Sequence, residues 1–148
     1  MSAPVFLYAN RFHAALTDRT ERSFLLRRHV YRCRWEHGFA LRDCDGVLWR
    51  PSVHEYDSDG ASIPHPLDWL IPALDSLRYR RAAMGIHDPA CRTGELDRRL
   101  PGDCWRVVPV PRKQADDLLR QGIEAEGGWR ATGWTYWAGV RVGALFAG

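Results

Sequence analysis

The sequence predicts an α+β fold in one domain, an N-terminal antiparallel β meander followed by a loop and about three helices. Three observations predict it. The 148 residues suit a single core, the first third alternates apolar and polar residues with a period of two, and the second half carries apolar residues at helical spacing. We expect a β-rich part over 1–56, a functional loop over 57–72 and a helical part over 73–148.

The β-rich part is predicted from alternation and tight turns. A strand covers Arg28–Trp35, where alternate side chains share a face. Glu36-His37-Gly38 turns the chain, and we expect Phe39–Arg42 to pair back on this strand. Asp45-Gly46 is a second tight turn that leads into a third strand at Val47–Trp49. The product is a twisted meander.

The first helix follows the loop. Apolar residues from Tyr79 to His87 recur at i, i+3, i+4 and i+7, which is the spacing of one helix face. Because proline lacks a backbone N–H and restricts the residue before it, Pro89 is expected to end or kink this helix near Asp88. The segment Gly94–Pro109 is expected to be irregular, apart from a short strand at Val107-Val108.

Two further helices complete the prediction. The second begins after Pro111 and stops at Gly127-Gly128, and the third covers Thr132–Phe146. The third helix is short and contains Arg141, which argues against a membrane span. The apolar start of the chain, Val5–Tyr8, is too short for a signal-peptide core, so we expect a cytosolic protein or one carried inside a particle.

The charge balance disfavours nucleic acid as a partner. The net charge is +3, and all basic residues except Lys113 are arginines. The arginines at 27, 28, 32 and 34 form a run that could line a phosphate surface. However, 18 acidic residues nearly cancel the charge, and no helix-turn-helix, zinc-finger or RNA-recognition signature accompanies the run.

The four cysteines are Cys33, Cys44, Cys91 and Cys104. Their spacing contains no Cys-x-x-Cys pair, so free thiols are expected. A Cys33–Cys44 bridge across a hairpin is the alternative in an oxidising compartment. A metal cluster of His87, Cys91 and Cys104 is a further alternative, although Pro89 interrupts the helical spacing of the first two.

The residues most suited to chemistry are His87 and Asp88 at the end of one helix and Asp116 near the start of the next. Imidazole accepts protons near neutral pH, and a carboxylate either orients it or holds a cation beside it. Asp59 from the loop adds a third carboxylate, and such a group suits Ca²⁺, Mg²⁺, Mn²⁺ or Zn²⁺. The structural alternative is a hydrogen-bonded core histidine, with Asp116 paired only to Arg112 one turn earlier.

Three blocks carry a family resemblance: Asp59-Gly60-Ala61-Ser62-Ile63-Pro64, Ala82–Asp88 and Arg112-Lys113-Gln114-Ala115-Asp116. In this order they resemble a phage and prophage family classed as domain of unknown function 1353. The resemblance implies a phage-encoded protein whose shared polar core is Asp59, His87, Asp88 and Asp116. Two positions depart from the family pattern: His65 replaces an arginine, and Pro89-Ala90-Cys91 replaces a continuation that begins Leu-Tyr.

The His-Asp pair facing an aspartate on the next helix is also similar, more loosely, to secreted phospholipases. In those enzymes the histidine activates water and the adjacent aspartate holds Ca²⁺. Their paired-cysteine framework and glycine-rich calcium loop are absent from this sequence, so the similarity provides a template for mechanism only.

The leading hypothesis is a small metal-assisted hydrolase of phage or prophage origin that acts on an amide or ester of the cell envelope. His87 and Asp116 are the catalytic residues, with His87 as general base. Asp88 and Asp59 are the metal ligands. Ser62, His65 and Arg112 are the candidate substrate-binding residues.

Two rival hypotheses remain. One is a non-catalytic phage protein that acts in particle assembly or binds a host protein, in which the polar cluster only ties the loop to two helices. The other is an arginine-rich nucleic-acid binder, whose binding would fall steeply with salt.

Overall fold

The computed structural model describes residues 2–23, 26–58 and 79–147. The strands are β1 Val5–Leu7, β2 Phe12–Ser23, β3 Leu26–Trp35, β4 Ala40–Arg42, β5 Leu48–Arg50, β6 Glu55–Ser58, β7 Glu95–Arg99 and β8 Arg106–Pro109, with a 3-10 turn at Ala9–Arg11. A π-helix, Arg81–His87, runs directly into α1, Asp88–Thr93; α2 is Arg112–Ala125 and α3 is Arg130–Ala147. The predicted α+β class is confirmed.

The strands form two antiparallel sheets, one with the order β1-β4-β5-β7-β8 and one with the order β2-β3-β6. The predicted pairing of Phe39–Arg42 with the strand before it was wrong, because β4 pairs with β1 and β5. Both edges of β3 are already occupied, by β2 and by β6. The turn at Gly38 therefore carries the chain from one sheet to the other. The tight turn at Asp45-Gly46 is confirmed, since it joins β4 to β5.

The helix does not end near Asp88, which was one of the two outcomes predicted for Pro89, but continues to Thr93. The π-helix accounts for the difference. The Asp88 N–H bonds to the Ala83 carbonyl five residues back. In the same pattern, the Met84 carbonyl would pair with the backbone N–H of position 89, which proline lacks. The Tyr56 hydroxyl, at 2.6 Å, donates to the Met84 carbonyl instead. A side chain from β6 thus lets the helix pass through a proline.

The segment between α1 and α2 is more regular than predicted. The strand at Val107-Val108 is confirmed as part of β8, but Glu95–Arg99 also forms a strand, β7, which lies between β5 and β8. Its Leu96 is fully buried. The predicted boundaries of the domain parts stay a prediction, although these two strands lie in the part expected to be helical.

The π-helix lies at the centre of the core. All residues from Ala82 to His87 are buried. A side chain at Gly85 would meet the Phe39 ring at 3.2 Å, and one at Gly122 of α2 would meet the Ala82 Cβ at 2.7 Å. The small residues allow close packing of the helix against both neighbours, which brings the end of the π-helix close to the start of α2.

The last two helices match the prediction closely. The Gly128 N–H bonds to the Ile123 carbonyl and the Gly127 N–H to the Glu124 carbonyl, which together form a Schellman motif with Gly127 at positive φ. Over the described part of the chain, α3 and the other helices lack the length and apolar character needed to cross a membrane.

Candidate functional site

His87 and Asp116 form a buried hydrogen-bonded pair. His87 is the last residue of the π-helix and Asp116 lies in the second turn of α2. The His87 Nε2 to Asp116 Oδ1 distance is 2.7 Å, and neither side chain is exposed to solvent. The expectation that the second helix brings Asp116 to face His87 is met.

Two arginines also bind the Asp116 carboxylate. The Arg112 Nε donates to Oδ1 at 3.2 Å, and the Arg141 guanidinium, from α3, donates to Oδ2 at 3.2 Å. Burial by itself raises the pKa of Asp116, but the hydrogen bond and charge of His87 and the charge of Arg112 outweigh it, and the pKa lies below its usual value. Asp116 is therefore a carboxylate at neutral pH.

The charge of Asp116 determines which nitrogen of the His87 imidazole carries the shared proton. A carboxylate only accepts hydrogen bonds, so the proton between the two groups belongs to the His87 Nε2. When His87 is neutral, its Nδ1 atom is the acceptor. Nδ1 is buried and has no hydrogen-bond partner within the described residues. Buried polar atoms normally have partners, so among the described residues the His87 ring has one satisfied nitrogen and one unsatisfied nitrogen.

Asp88 belongs to a different environment from His87. Adjacent helical residues point about 100° apart. The Asp88 Oδ2 pairs with the Arg92 Nε at 3.1 Å. The negative charge of Asp88 contributes to the raised pKa values of Cys33 on β3 and Tyr56 on β6. Burial, aided by the charges of Asp88 and Asp57, raises the pKa of Cys33 to about 12. Asp88 thus lies beside the second sheet, whereas His87 faces α2.

Three of the predicted site residues, Asp59, Ser62 and His65, lie outside the described residues. Asp59 directly follows β6, the strand whose Tyr56 contacts the π-helix and whose Ser58 is fully buried. The chain therefore enters the predicted loop next to the helix that carries His87 and Asp88. Arg112, predicted to bind substrate, is bonded to Asp116.

Cys91 provides a third group that could bind a metal, in addition to His87 and Asp116. Its Sγ atom lies 3.5 Å from the His87 Nε2, and burial raises the pKa of this thiol to about 11. Because the helix continues through Pro89, His87 and Cys91 keep the i, i+4 spacing that the proline was expected to spoil. The alternative cluster with Cys104 is replaced by one with Asp116. All four cysteines are free, so the alternative of a Cys33–Cys44 bridge was wrong.

The sequence interpretation missed two residues of the site, Arg141 and Tyr56. Arg141 lies in an otherwise apolar stretch of α3, and a single charge in such a stretch is a signal that it has a buried partner. Tyr56 had no comparable signal, because its role depends on a carbonyl that only the π-helix leaves open.

The arginine run offers less free charge than its sequence implies. Arg32 lies 3.4 Å from Asp57 and 3.9 Å from Glu55 on the neighbouring strand. Asp57 is also bonded to Arg19. Carboxylates of the same sheet thus offset part of the positive charge of this surface.

Comparison with known proteins gives one match. A family described as "Protein of unknown function (DUF1353)" matches residues 44–140, about two thirds of the chain, a stretch that contains His87, Asp88, Cys91 and Asp116. No curated protein and no solved structure shows a significant match.

Proposed function

The chain belongs to the DUF1353 family of proteins of unknown function, and on that premise we propose that it is a hydrolase in which His87 activates a water molecule. The observation that carries the proposal is the His87 Nδ1 atom, which is buried without a hydrogen-bond partner among the described residues while the Nε2 of the same ring is bonded to Asp116. In a purely structural pair both ring nitrogens would normally have partners, and within the described part of the chain Nδ1 has none.

The pair supplies the chemistry of a general base. A water that donates a hydrogen bond to Nδ1 loses its proton to that atom as its oxygen attacks the carbonyl carbon of an ester or amide. The imidazolium that forms still donates its Nε2 hydrogen bond to Asp116, and the negative charge of this carboxylate stabilises the positive ring. Nδ1 then returns the proton to the leaving group when the tetrahedral intermediate collapses.

A divalent cation is part of this proposal. Asp88 and Asp59 are the residues that would hold it, and when bound it would polarise the carbonyl of the substrate. Asp88 is a buried carboxylate next to His87, although Arg92 already neutralises one of its oxygens. We assign Ser62 and His65 to the substrate side, on the loop that follows β6. Arg112 has a role other than substrate binding, because its hydrogen bond to Asp116 favours the charged form of that carboxylate.

The cellular setting follows from the family resemblance. We place the protein in the host cytoplasm or the virion of a phage, where an ester or amide of the cell envelope would be the substrate. The rival function is a non-catalytic role in assembly or in binding a host protein. One observation favours it: His87 and Asp116 are both fully buried, and two arginines close one side of the pair.

The substitution His87→Gln separates the two functions. The Gln side-chain amide reaches the position of Nε2 and still donates to Asp116, but it has no atom that replaces Nδ1 as a base. We expect His87→Gln to keep the fold and to lose hydrolysis of p-nitrophenyl esters and anilides, assayed with Ca²⁺, Mg²⁺ or Mn²⁺, by about 100-fold or more. His29→Gln, on an exposed position of β3, is the matched control.

A second measurement is independent of the substrate. In ¹⁵N-labelled protein, the resonances of the neutral His87 imidazole should show a protonated Nε2 and an unprotonated Nδ1. A proton on Nδ1, or a His87→Gln protein as active as the wild type, contradicts the proposal and favours the structural role.

A further inference from the structure

The pair at the centre of the site also supplies two of the three groups of a mixed set of metal-ligating atoms. His87, Cys91 and Asp116 offer nitrogen, sulfur and oxygen, and these three atoms lie within 4.8 Å of one another. His87 and Asp116 are fully buried, and Cys91 is half-buried. Water activation by His87 makes no use of Cys91.

The distances match the geometry of a tetrahedral ion. With a nitrogen ligand about 2.0 Å and a sulfur ligand about 2.3 Å from zinc, the two ligand atoms are about 3.6 Å apart. The His87 Nε2 to Cys91 Sγ distance is 3.5 Å. The Nε2 to Asp116 Oδ1 distance of 2.7 Å is that of the hydrogen bond, and it would widen to about 3.4 Å around an ion.

The neighbouring charges select the kind of ion. Arg112 and Arg141 form ion pairs with Asp116, and their positive charges repel any divalent cation. A hard cation such as Ca²⁺ prefers oxygen ligands and would gain only this carboxylate, already bonded to two guanidinium groups. An ion of the zinc class gains bonds to imidazole and thiolate as well, which offsets the repulsion.

We propose that His87, Cys91 and Asp116 form a binding site for a soft divalent cation of the Zn²⁺ class, and that its occupancy switches off His87 as a base. Protons and charges balance when the ion binds. The Cys91 thiol loses its proton to solvent, and the thiolate and the Asp116 carboxylate neutralise the two charges of the ion. The imidazole proton moves from Nε2 to Nδ1, so the nitrogen that accepted a proton from water becomes a donor. The switch, but not the site, rests on the proposed function.

Cobalt(II) is the probe for this site, because its bond to a thiolate absorbs in the near ultraviolet and can be followed directly. Titration of the full chain with CoCl₂ should show about one ion bound per chain and about one proton released per ion. Cys91→Ser should weaken binding more than about 100-fold, because even changes outside the ligand shell lower metal affinity 10–100-fold. Cys104→Ser, at an exposed cysteine, is the matched control.

Three results would overturn the site: no cobalt binding by the wild type, unchanged binding in Cys91→Ser, or loss of binding in Cys104→Ser. Thermal unfolding without metal checks that Cys91→Ser is folded, and Cys91→Ala serves as a second variant. The switch has a separate test, in which Zn²⁺ inhibits hydrolysis by the wild type but not by Cys91→Ser. If no hydrolysis is found, the proposed function fails and the cobalt titration still decides whether the site exists.

Discussion

Asp116 holds together the residues of the site. Its two oxygens accept hydrogen bonds from the imidazole of His87 and the guanidinium groups of Arg112 and Arg141, side chains contributed by the π-helix, α2 and α3. A buried carboxylate is costly to desolvate, and three charged or polar donors offset that cost. Loss of the carboxylate charge would leave the donors without their acceptor.

We therefore expect Asp116→Asn to lower the free energy of unfolding by about 3 kcal/mol, the usual cost of removing one partner from a buried ion pair. Urea unfolding measures it. The next residue provides a matched control. The Asp117 Oδ1 accepts a hydrogen bond from the Trp137 Nε1 at 2.8 Å, and Asn keeps that acceptor. Asp117→Asn should cost less than about 1 kcal/mol, and equal costs for the two variants would contradict this account of Asp116.

The π-helix decides which way the site residues face. A π-helix turns by a smaller angle per residue than an α-helix. Its i, i+5 hydrogen-bond pattern would pair the Met84 carbonyl with the N–H of position 89, and proline has no N–H to donate. The hydroxyl of Tyr56 satisfies this carbonyl from the second sheet. The position of His87 at the end of the π-helix therefore depends on a contact between the helix and β6.

Tyr56→Phe should lower the free energy of unfolding by about 1–3 kcal/mol, because it leaves the buried Met84 carbonyl unsatisfied. In a Pro89→Ala background the new backbone N–H can bond to the same carbonyl, and the cost of Tyr56→Phe should fall by about 1 kcal/mol or more. A double-mutant cycle by urea unfolding measures the difference. Tyr31→Phe, on the neighbouring strand, controls for loss of a hydroxyl. The same cost in both backgrounds would exclude the proposed link between Tyr56 and Pro89.

At the scale of the whole molecule, Glu126 joins the end of α2 to the start of the π-helix. Its Oε1 atom accepts a hydrogen bond from the Arg81 backbone N–H at 2.9 Å, and the Arg81 guanidinium lies 3.6 Å away. The Glu126 side chain is only 4% exposed. Burial raises its pKa to about 7, against the opposing effect of the Arg81 contacts. The two elements that carry His87 and Asp116 are thus joined by a group that titrates near neutral pH.

The sign of the pH effect follows from this shift. Between the ordinary pKa of 4.5 and about 7, the folded protein holds the Glu126 proton and the unfolded chain does not, so the stability contributed by this group falls as pH rises. From pH 5 to pH 7 the free energy of unfolding of the wild type should fall by about 2 kcal/mol relative to Glu126→Gln. Glu124→Gln is the control on the same turn. Parallel pH curves for the wild type and Glu126→Gln would disprove the shift.

The local features of the fold and the pairing of His87 with Asp116 could be predicted from the sequence. The α+β class, the turn at Asp45-Gly46, the helix that stops at Gly127-Gly128 and the meeting of His87 with Asp116 all follow from periodicity, turn residues and residue type, which act over a few positions of the chain. The predicted membership of the DUF1353 family is confirmed by the match over residues 44–140.

Only the tertiary structure decided the strand partners of β4, the course of the helix through Pro89 and the complete set of groups around Asp116. Each depends on residues far apart in the chain. Both edges of β3 are occupied by other strands, Tyr56 satisfies the carbonyl that Pro89 leaves open, and Arg141 reaches the site from α3. Local rules describe what a segment favours alone, whereas the pairing of buried polar groups requires knowing which distant segments meet.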